Sequence, residues 1–358
     1  MSIYIHIPFC TNICTYCDFC KMYYNKKYID SYLECLKKEI LERYQKEKIK
    51  TIFIGGGTPT SLDNEELTKL LEITKLFNTE QEIEFTIESN VESLTEDKLK
   101  IMKIYGVNRL SIGVQSFNNN IIKILGRNHT KEDIYNKIEL AKKYFNNINI
   151  DLIYAVTNDI NIVKEDIREF IKLDITHIST YSLIIEDKTI LKINNYQNID
   201  EDIDFKMYKL IEETLEENNY IHYEVSNYAK KGYESKHNLV YWNNEEYYGF
   251  GLGSTSYINN IRRTNTKNLT KYLNNNYIEE EIYEDKELQI ENEIMLGLRK
   301  LEGINLIKFK QKYGISLEEL YDIEDLLEDK YLIKEDNYLK INKEYIYISN
   351  EILLKILS

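Results

Sequence analysis

An α/β fold is predicted by this sequence: a partial (β/α)6 barrel with a smaller C-terminal α+β region that ends in a winged-helix-like segment. Two observations carry that expectation. From residue 2 to about 184, short β-rich apolar runs alternate six times with longer charged segments of helical period, the pattern of βα units around a parallel sheet. The residue types that carry chemistry also fall where those runs end, and in such barrels the working loops lie at the carboxyl ends of the strands.

Taken in order, the first run is Ile3 to Ile7, and four cysteines, Cys10, Cys14, Cys17 and Cys20, follow it. Tyr28 to Gln45 has helical period. The second run, Thr51 to Ile54, leads into Gly55-Gly56-Gly57-Thr58-Pro59-Thr60, and Asp63 to Phe77 is the next amphipathic helix. Ile83 to Glu88 is the third run and passes into Ser89-Asn90. Val107 to Val114 is the fourth and passes into Gln115-Ser116-Phe117. The fifth, Ile148 to Tyr154, carries Asp151, which can point inward, and the sixth is Ile175 to Leu183.

The polar stretch Lys192 to Asp204 reads as a linker or exposed connection. Beyond it come a helix from about Ile203 to Asn218 and a mixed segment with Tyr220 to Ala229 and Tyr247 to Ile261. From Asp285 the pattern is winged-helix-like: helices near Glu287 to Arg299, Ile304 to Tyr313 and Leu317 to Leu327, then strands near Leu332 to Ile348. The expected units are therefore residues 1–190, the barrel; 191–284, its continuation; and 285–358, the C-terminal region. At 358 residues the chain can form one large or two moderate units, each able to bury its own core.

Lys and Arg total 46 against 60 Asp and Glu, a net charge of −14 that repels phosphates, so a nucleic-acid partner is not expected. Four of the five cysteines lie in the first twenty residues, which excludes a distributed disulfide framework. The start, Met1 to Ile7, has neither a basic region nor a long apolar run, and no other stretch reaches the roughly 20 apolar residues of a membrane span. A soluble, cytoplasmic protein is the expectation.

Three thiolates at the spacing Cys10-x3-Cys14-x2-Cys17 can hold a [4Fe-4S] cluster and leave one iron without a protein ligand. Four cysteines can also hold tetrahedral zinc, but such sites usually join two separated pairs, whereas these four lie within eleven residues. Cys20 is equally a ligand or a structural thiol, and Cys35, on a helix, reads as a small buried hydrophobe. Glycines at 55–57 let backbone groups approach the amino and carboxylate ends of an amino acid. Glu88, at a strand end, suits ribose hydroxyls, or is a plain solvated carboxylate.

The motifs Tyr4-Ile5-His6-Ile7-Pro8-Phe9-Cys10, Tyr16-Cys17-Asp18-Phe19, Gly55 to Thr60, Gly113 to Phe117, Leu125-Gly126-Arg127, Asn149 to Tyr154 and His237-Asn238-x-x-Tyr241-Trp242 span nearly the whole chain. In them the chain resembles the radical S-adenosylmethionine superfamily, and within it the branch of coproporphyrinogen dehydrogenases and HemW-type haem chaperones. The resemblance implies that the open iron is chelated by the methionyl amine and carboxylate of S-adenosyl-L-methionine, whose sulfonium an electron from the cluster can cleave to a 5′-deoxyadenosyl radical. By position it implies S-adenosylmethionine contacts at Tyr4, Tyr16, Gly56, Gly57, Thr58, Glu88, Gln115, Arg127 and Asp151, with Cys10, Cys14 and Cys17 on the cluster. It further implies a haem site that includes His237, histidine being a common axial ligand. No catalytic residue is assigned.

Two functions follow from the resemblance. One is a haem chaperone that passes haem to a haem-accepting protein such as a membrane-associated respiratory cytochrome. The other is oxygen-independent decarboxylation of coproporphyrinogen III to vinyl products; a radical enzyme of another substrate is a third, since fold does not fix function. Tyr4 in the first strand, without a long extension before it, and the two residues between Cys17 and Cys20 favour the chaperone, as does the His237 motif. Two segments depart from the family's pattern: Ala155-Val156-Thr157-Asn158 replaces a usual Leu-Pro turn, and Gly251 to Ser256 lacks a histidine common there.

Overall fold

A computed structural model describes residues 1–357. Its centre is six βα units: β1 (Ser2–Ile7), α1 (Lys26–Arg43), β2 (Ile49–Gly56), α2 (Asn64–Thr74), β3 (Thr79–Asn90), α3 (Glu96–Ile104), β4 (Arg109–Gln115), α4 (Asn119–Ile124), α5 (Lys131–Lys142), β5 (Asn147–Tyr154), α6 (Ile160–Leu173) and β6 (His177–Ser182). β1 shows why. Its Ile3, Ile5 and Ile7 are fully buried on the face that the helices cover, and Tyr4 and His6 alternate to the other face, as the two-residue period of a strand requires. The helices start at side-chain caps: Asn25 accepts from Lys27 N–H, and Asp63 and Glu66 form a reciprocal capping box, as do Thr130 and Asp133.

Two strands are longer than their apolar runs. β3 begins with four exposed residues, Thr79 to Glu82, so hydrophobicity does not mark its start; backbone pairing of Ile49 with Thr79 does. β2 continues through Gly55 and Gly56, which pair with His6 and Ile7. The glycine-rich segment thus begins inside the strand.

The sheet also extends past the expected six strands. Residues 191–284 contribute β7 (Ile221–Glu224), β8 (Asn227–Ala229), β9 (Tyr247–Phe250), β10 (Thr255–Ile258), β11 (Ile261–Asn265) and β12 (Ile278–Tyr283). Among the described residues the twelve strands run in the order β12-β11-β10-β9-β1-β2-β3-β4-β5-β6-β8-β7. β9 lies parallel to β1, and β8 antiparallel to β6. This middle segment therefore supplies both edges of the sheet. The outermost strand, β12, is exposed at every residue and carries Glu279, Glu280 and Glu281, charges that discourage another chain from adding to the edge.

The polar stretch 192–204 is not a free linker. It runs from the end of a one-turn helix, Ile190–Ile193, into the first turn of α7 (Glu201–Glu217), capped by Asp200, and the Tyr196 hydroxyl within it donates to the Val156 carbonyl at 2.6 Å. Its polar residues mark an exposed, but anchored, surface. α8 (Lys236–Trp242) then packs on β2.

After α9 (Lys286–Gly297), the C-terminal region has short helices and a three-stranded sheet, Ile304–Asn305 with the hairpin Leu332–Glu335 and Tyr338–Ile341. Lys343–Ile348 is a 3-10 turn where a strand was expected, and a further helix, Ser349–Leu357, follows. Ile290, Ile294, Phe309, Leu339, Ile352 and Ile356 join the core that underlies the barrel. Among the described residues no helix is long and apolar enough to cross a membrane.

One buried carboxylate ties α1 to the added strands. Glu39 is fully buried and accepts from Gly251 N–H at 2.9 Å, Asn265 Nδ2 at 2.6 Å, the Tyr272 hydroxyl at 2.7 Å and Arg43. Removing the acceptor leaves Gly251 N–H and the Tyr272 hydroxyl, both buried, without a partner, and takes one partner from Asn265 and from the partly exposed charge of Arg43. Glu39→Ala is expected to lower the unfolding free energy by about 3–5 kcal/mol, measured by chemical denaturation; an unchanged midpoint would show that this network does not join the two parts.

Candidate functional site

The cysteine loop is closed by two short parallel strands, Phe9–Cys10 and Met22–Tyr23, and held against the barrel from two sides. Thr15 donates from its backbone to the Leu125 carbonyl at 3.2 Å and from its hydroxyl to the Ile124 carbonyl at 2.8 Å; Asn12 Nδ2 donates to the Gly126 carbonyl at 2.5 Å. Gly126 has φ +71°, and a Cβ there would stand 2.8 Å from the Thr15 methyl, so glycine is required on both counts. On the other side His6 Nε2 bonds the Cys20 carbonyl at 2.7 Å and Nδ1 bonds the Tyr4 hydroxyl at 2.9 Å. A carbonyl only accepts, so the ring proton sits on Nε2 and Tyr4 donates to Nδ1. Burial lowers the His6 pKa to about 4, which keeps the ring neutral.

The loop opens onto a cavity of about 790 Å³ in the barrel, within the range of small-molecule sites. Cys10, Cys14 and Cys17 line it, together with Tyr4, Tyr16, Gly56, Gly57, Thr58, Glu88, Gln115, Arg127, Asp151 and His237. Side chains from Tyr4 to His237 thus meet in one space. Cys20 turns away; a Cβ on Gly253 would lie 3.0 Å from its Sγ. Cys35 is buried on α1.

Among the described residues no three His, Cys, Asp or Glu side chains converge on a single ion, the arrangement that tetrahedral zinc needs. Three thiols that share a cavity without converging on one point suit the larger [4Fe-4S] cube. Burial pushes the Cys10 thiol up to about 11, against the Thr58 hydroxyl 3.7 Å from its sulfur, and also raises the Cys17 thiol. Such thiols become thiolates when a metal displaces the proton. Gly57 passes so close that a Cβ would stand 2.9 Å from Cys10 Sγ and 2.8 Å from the Pro8 carbonyl carbon.

Glu88 accepts from Gly56 N–H at 3.0 Å, and a Cβ on Gly55 would stand 2.7 Å from its carboxyl carbon. It is not a solvated carboxylate: burial, and then the charge of Asp151, push its pKa up to about 8. Asp151 faces inward, accepts from Asn149 Nδ2 at 2.9 Å and is itself raised by burial. Arg127 pairs with no neighbouring acid among the described residues; it donates to Asn90 Oδ1 at 2.5 Å and the Tyr16 hydroxyl at 2.8 Å. Gln115 ends β4 at φ +70°, beyond a register shift against β5, a left-handed conformation that costs a non-glycine residue about 1–3 kcal/mol and aims its side chain.

His237 lines the same cavity with both ring nitrogens engaged. Its Nδ1 bonds the Thr51 hydroxyl at 2.7 Å and its Nε2 the Tyr241 hydroxyl at 2.9 Å; the ring stacks on Phe53 with centroids 5.1 Å apart. Burial lowers its pKa to about 3. Neither nitrogen is open to iron unless one bond breaks.

The sequence motifs assign no contact to Asn90, which donates to the Thr58 hydroxyl at 2.8 Å while accepting from Arg127, nor to Arg109, Ser111 and Asn149, which line the same cavity. A signal for them exists. Arg109, Ser111, Gly113 and Gln115 occur at every second position of β4, and Asn149 and Asp151 of β5, the period of one strand face.

Comparison with known proteins agrees with this architecture. The model of the radical SAM superfamily matches residues 4–173, and that of the HemN C-terminal domain residues 285–344. The chain is 40% identical to the heme chaperone HemW of Lactococcus lactis, over 99% of this chain and 97% of that one, and 37% identical to that of Bacillus subtilis, over 98% and 97%. Among solved structures, the radical SAM enzyme coproporphyrinogen III oxidase (HemN) of Escherichia coli superposes with a TM-score of 0.85, covering 99% of this chain and 89% of that one. At 19% identity it shows the shared fold.

The raised pKa of Glu88 makes a signed prediction. A carboxyl that folds with its pKa lifted from 4.5 to about 8 disfavours the folded state increasingly as pH climbs between those values, and fully above them. Glu88→Gln, which cannot ionise, is expected to stabilise the ligand-free protein over wild type at about pH 9 and to differ little at about pH 5. Denaturation midpoints measure the gap; one that does not widen with pH contradicts the assignment.

Proposed function

Because the chain belongs to the HemW heme chaperone family, within the radical SAM superfamily, we propose that it binds a [4Fe-4S] cluster, S-adenosylmethionine and haem, and hands haem to haem-accepting proteins such as respiratory cytochromes. The observation that carries this reading is the single cavity onto which three thiols and the nine implied S-adenosylmethionine contacts all open. Cys10, Cys14 and Cys17 are the proposed cluster ligands. When bound, the cluster supplies an open iron for the methionyl amine and carboxylate, and an electron.

The protein's part is binding, orientation and exclusion of water. Gly56 to Thr58 present backbone groups beside Cys10, with no side chain at Gly56 or Gly57 to obstruct a methionyl group. Glu88 and Asp151, both half-buried in the cavity wall, are acceptors for ribose hydroxyls once a ligand replaces their desolvation cost with hydrogen bonds. Tyr16 and Arg127 form one wall, fixed by their mutual bond and by Asn90, and Gln115 reaches in from its strained position. His237 is proposed to act on haem as a positioning residue, holding α8 to β2 through Thr51 and fixing the Tyr241 hydroxyl of its own helix at the cavity wall.

In this reading residues 1–190 hold cluster and S-adenosylmethionine, 191–284 bear the haem-associated segment, and 285–358 complete the wall through Arg299, Tyr347 and Asn350. A cytoplasmic setting, where thiols stay reduced, fits the cysteines. The test is an anaerobic assay of cluster-loaded protein with haem and, in parallel, with coproporphyrinogen III and S-adenosylmethionine. Stoichiometric haem binding without vinyl product is expected; turnover of coproporphyrinogen III would replace the chaperone by the dehydrogenase.

A further inference from the structure

Arg109 is among the largest side chains that the protein encloses completely, 2% exposed, and it lines the cavity. Among the described residues its guanidinium forms no hydrogen bond or ion pair, and its Nε is buried without an acceptor. The groups within reach of its charge hold other partners. Asp151 accepts from Asn149, and Glu88 from Gly56 N–H. His177 bonds Asn149 and the Tyr223 hydroxyl, both at 2.7 Å, and His237 bonds Thr51 and Tyr241. Burial keeps both imidazoles neutral, an effect that the charge of Arg109 adds to.

A buried cation without hydrogen-bonded partners is costly, and such a group in a native structure calls for an explanation. A guanidinium presents a planar fork of donors whose geometry matches a carboxylate, two parallel bonds at once. In the proposed reading the methionyl carboxylate belongs at the open iron, beside the cysteine loop. The remaining ligand, haem, brings two propionates, and the cavity that would receive it also carries apolar Phe19 and Ile184, 65% and 67% exposed.

We propose that Arg109 is an anion subsite inside the barrel that holds a propionate of the tetrapyrrole; the proposal rests on the haem reading above. It gives Arg109 a role distinct from electrostatic balance of Glu88 and Asp151. Balance would require only a positive charge nearby, whereas a subsite discriminates between a ligand with a free carboxylate and one without.

The experiment compares the affinities of cluster-loaded protein for haem and for haem dimethyl ester, in wild type, Arg109→Lys and Arg109→Gln. Both ligands share the macrocycle, so the ratio of affinities cancels any general loosening of the fold. Wild type is expected to prefer haem by about 10- to 100-fold, the range of a hydrogen bond to a charged group; Arg109→Gln reduces the preference to about threefold or less, and Arg109→Lys leaves an intermediate value. An unchanged ratio in Arg109→Gln, or equal binding of acid and ester by wild type, overturns the subsite while the haem reading stands. No haem binding by wild type overturns both.

Discussion

The site depends on a neutral, buried imidazole. His6 stands on the inward face of β1, accepts from Tyr4 and donates to the Cys20 carbonyl, so it fixes the far end of the cysteine loop to the first strand. The Gly56 backbone crosses its ring so closely that a Cβ would lie 2.5 Å from the ring carbon Cε1, and the Tyr32 hydroxyl donates to the His6 carbonyl at 2.7 Å. A protonated ring could not accept from Tyr4, which is why its deep burial matters: with its pKa lowered to about 4 the ring stays neutral. First strand, cysteine loop and glycine segment are thereby held in one arrangement.

That arrangement explains a barrel whose two sheet faces differ in chemistry. Outward, the strands bury Ile3, Ile5, Ile52, Leu110, Ile112 and Ile150 against the helices, each worth about 1.5–3 kcal/mol in apolar burial. Inward, β3, β4 and β5 carry Glu88, Arg109, Ser111, Asn149 and Asp151. Such a polar interior would be a poor core, but it is a ligand cavity whose groups are partly satisfied by one another and partly left for what enters. The strain at Gln115 and the raised carboxyls belong to the same economy of function over stability.

Much of this was legible in the chain. The six strands announce themselves because their outward faces are apolar, and the cysteine, glycine and Glu88 motifs sit where those strands end. What was not legible depends on distant partners. Thr51, 186 positions before His237, occupies that ring's nitrogen, and no local pattern shows it. β3's polar start and the edge strands 221–283 are defined by the neighbours they pair with. The 192–204 stretch looks like a linker because polarity reports exposure, and exposure does not exclude anchorage such as Tyr196 provides. Arg109 does not stand out because β4 reads as an apolar run unless its alternate positions are read separately.

Of the four neighbouring cysteines, three face the cavity and one does not. Cys20 serves through its backbone carbonyl, held by His6, with its sulfur toward Gly253; a cluster that leaves one iron open needs only the other three. The most direct test is electron paramagnetic resonance of reduced, anaerobically reconstituted wild type, Cys14→Ala and Cys20→Ala, with and without S-adenosylmethionine. Wild type and Cys20→Ala should both carry a [4Fe-4S] signal that S-adenosylmethionine shifts, and Cys14→Ala should carry none. A cluster that survives Cys14→Ala, or a wild-type signal that S-adenosylmethionine leaves unmoved, would contradict this assignment.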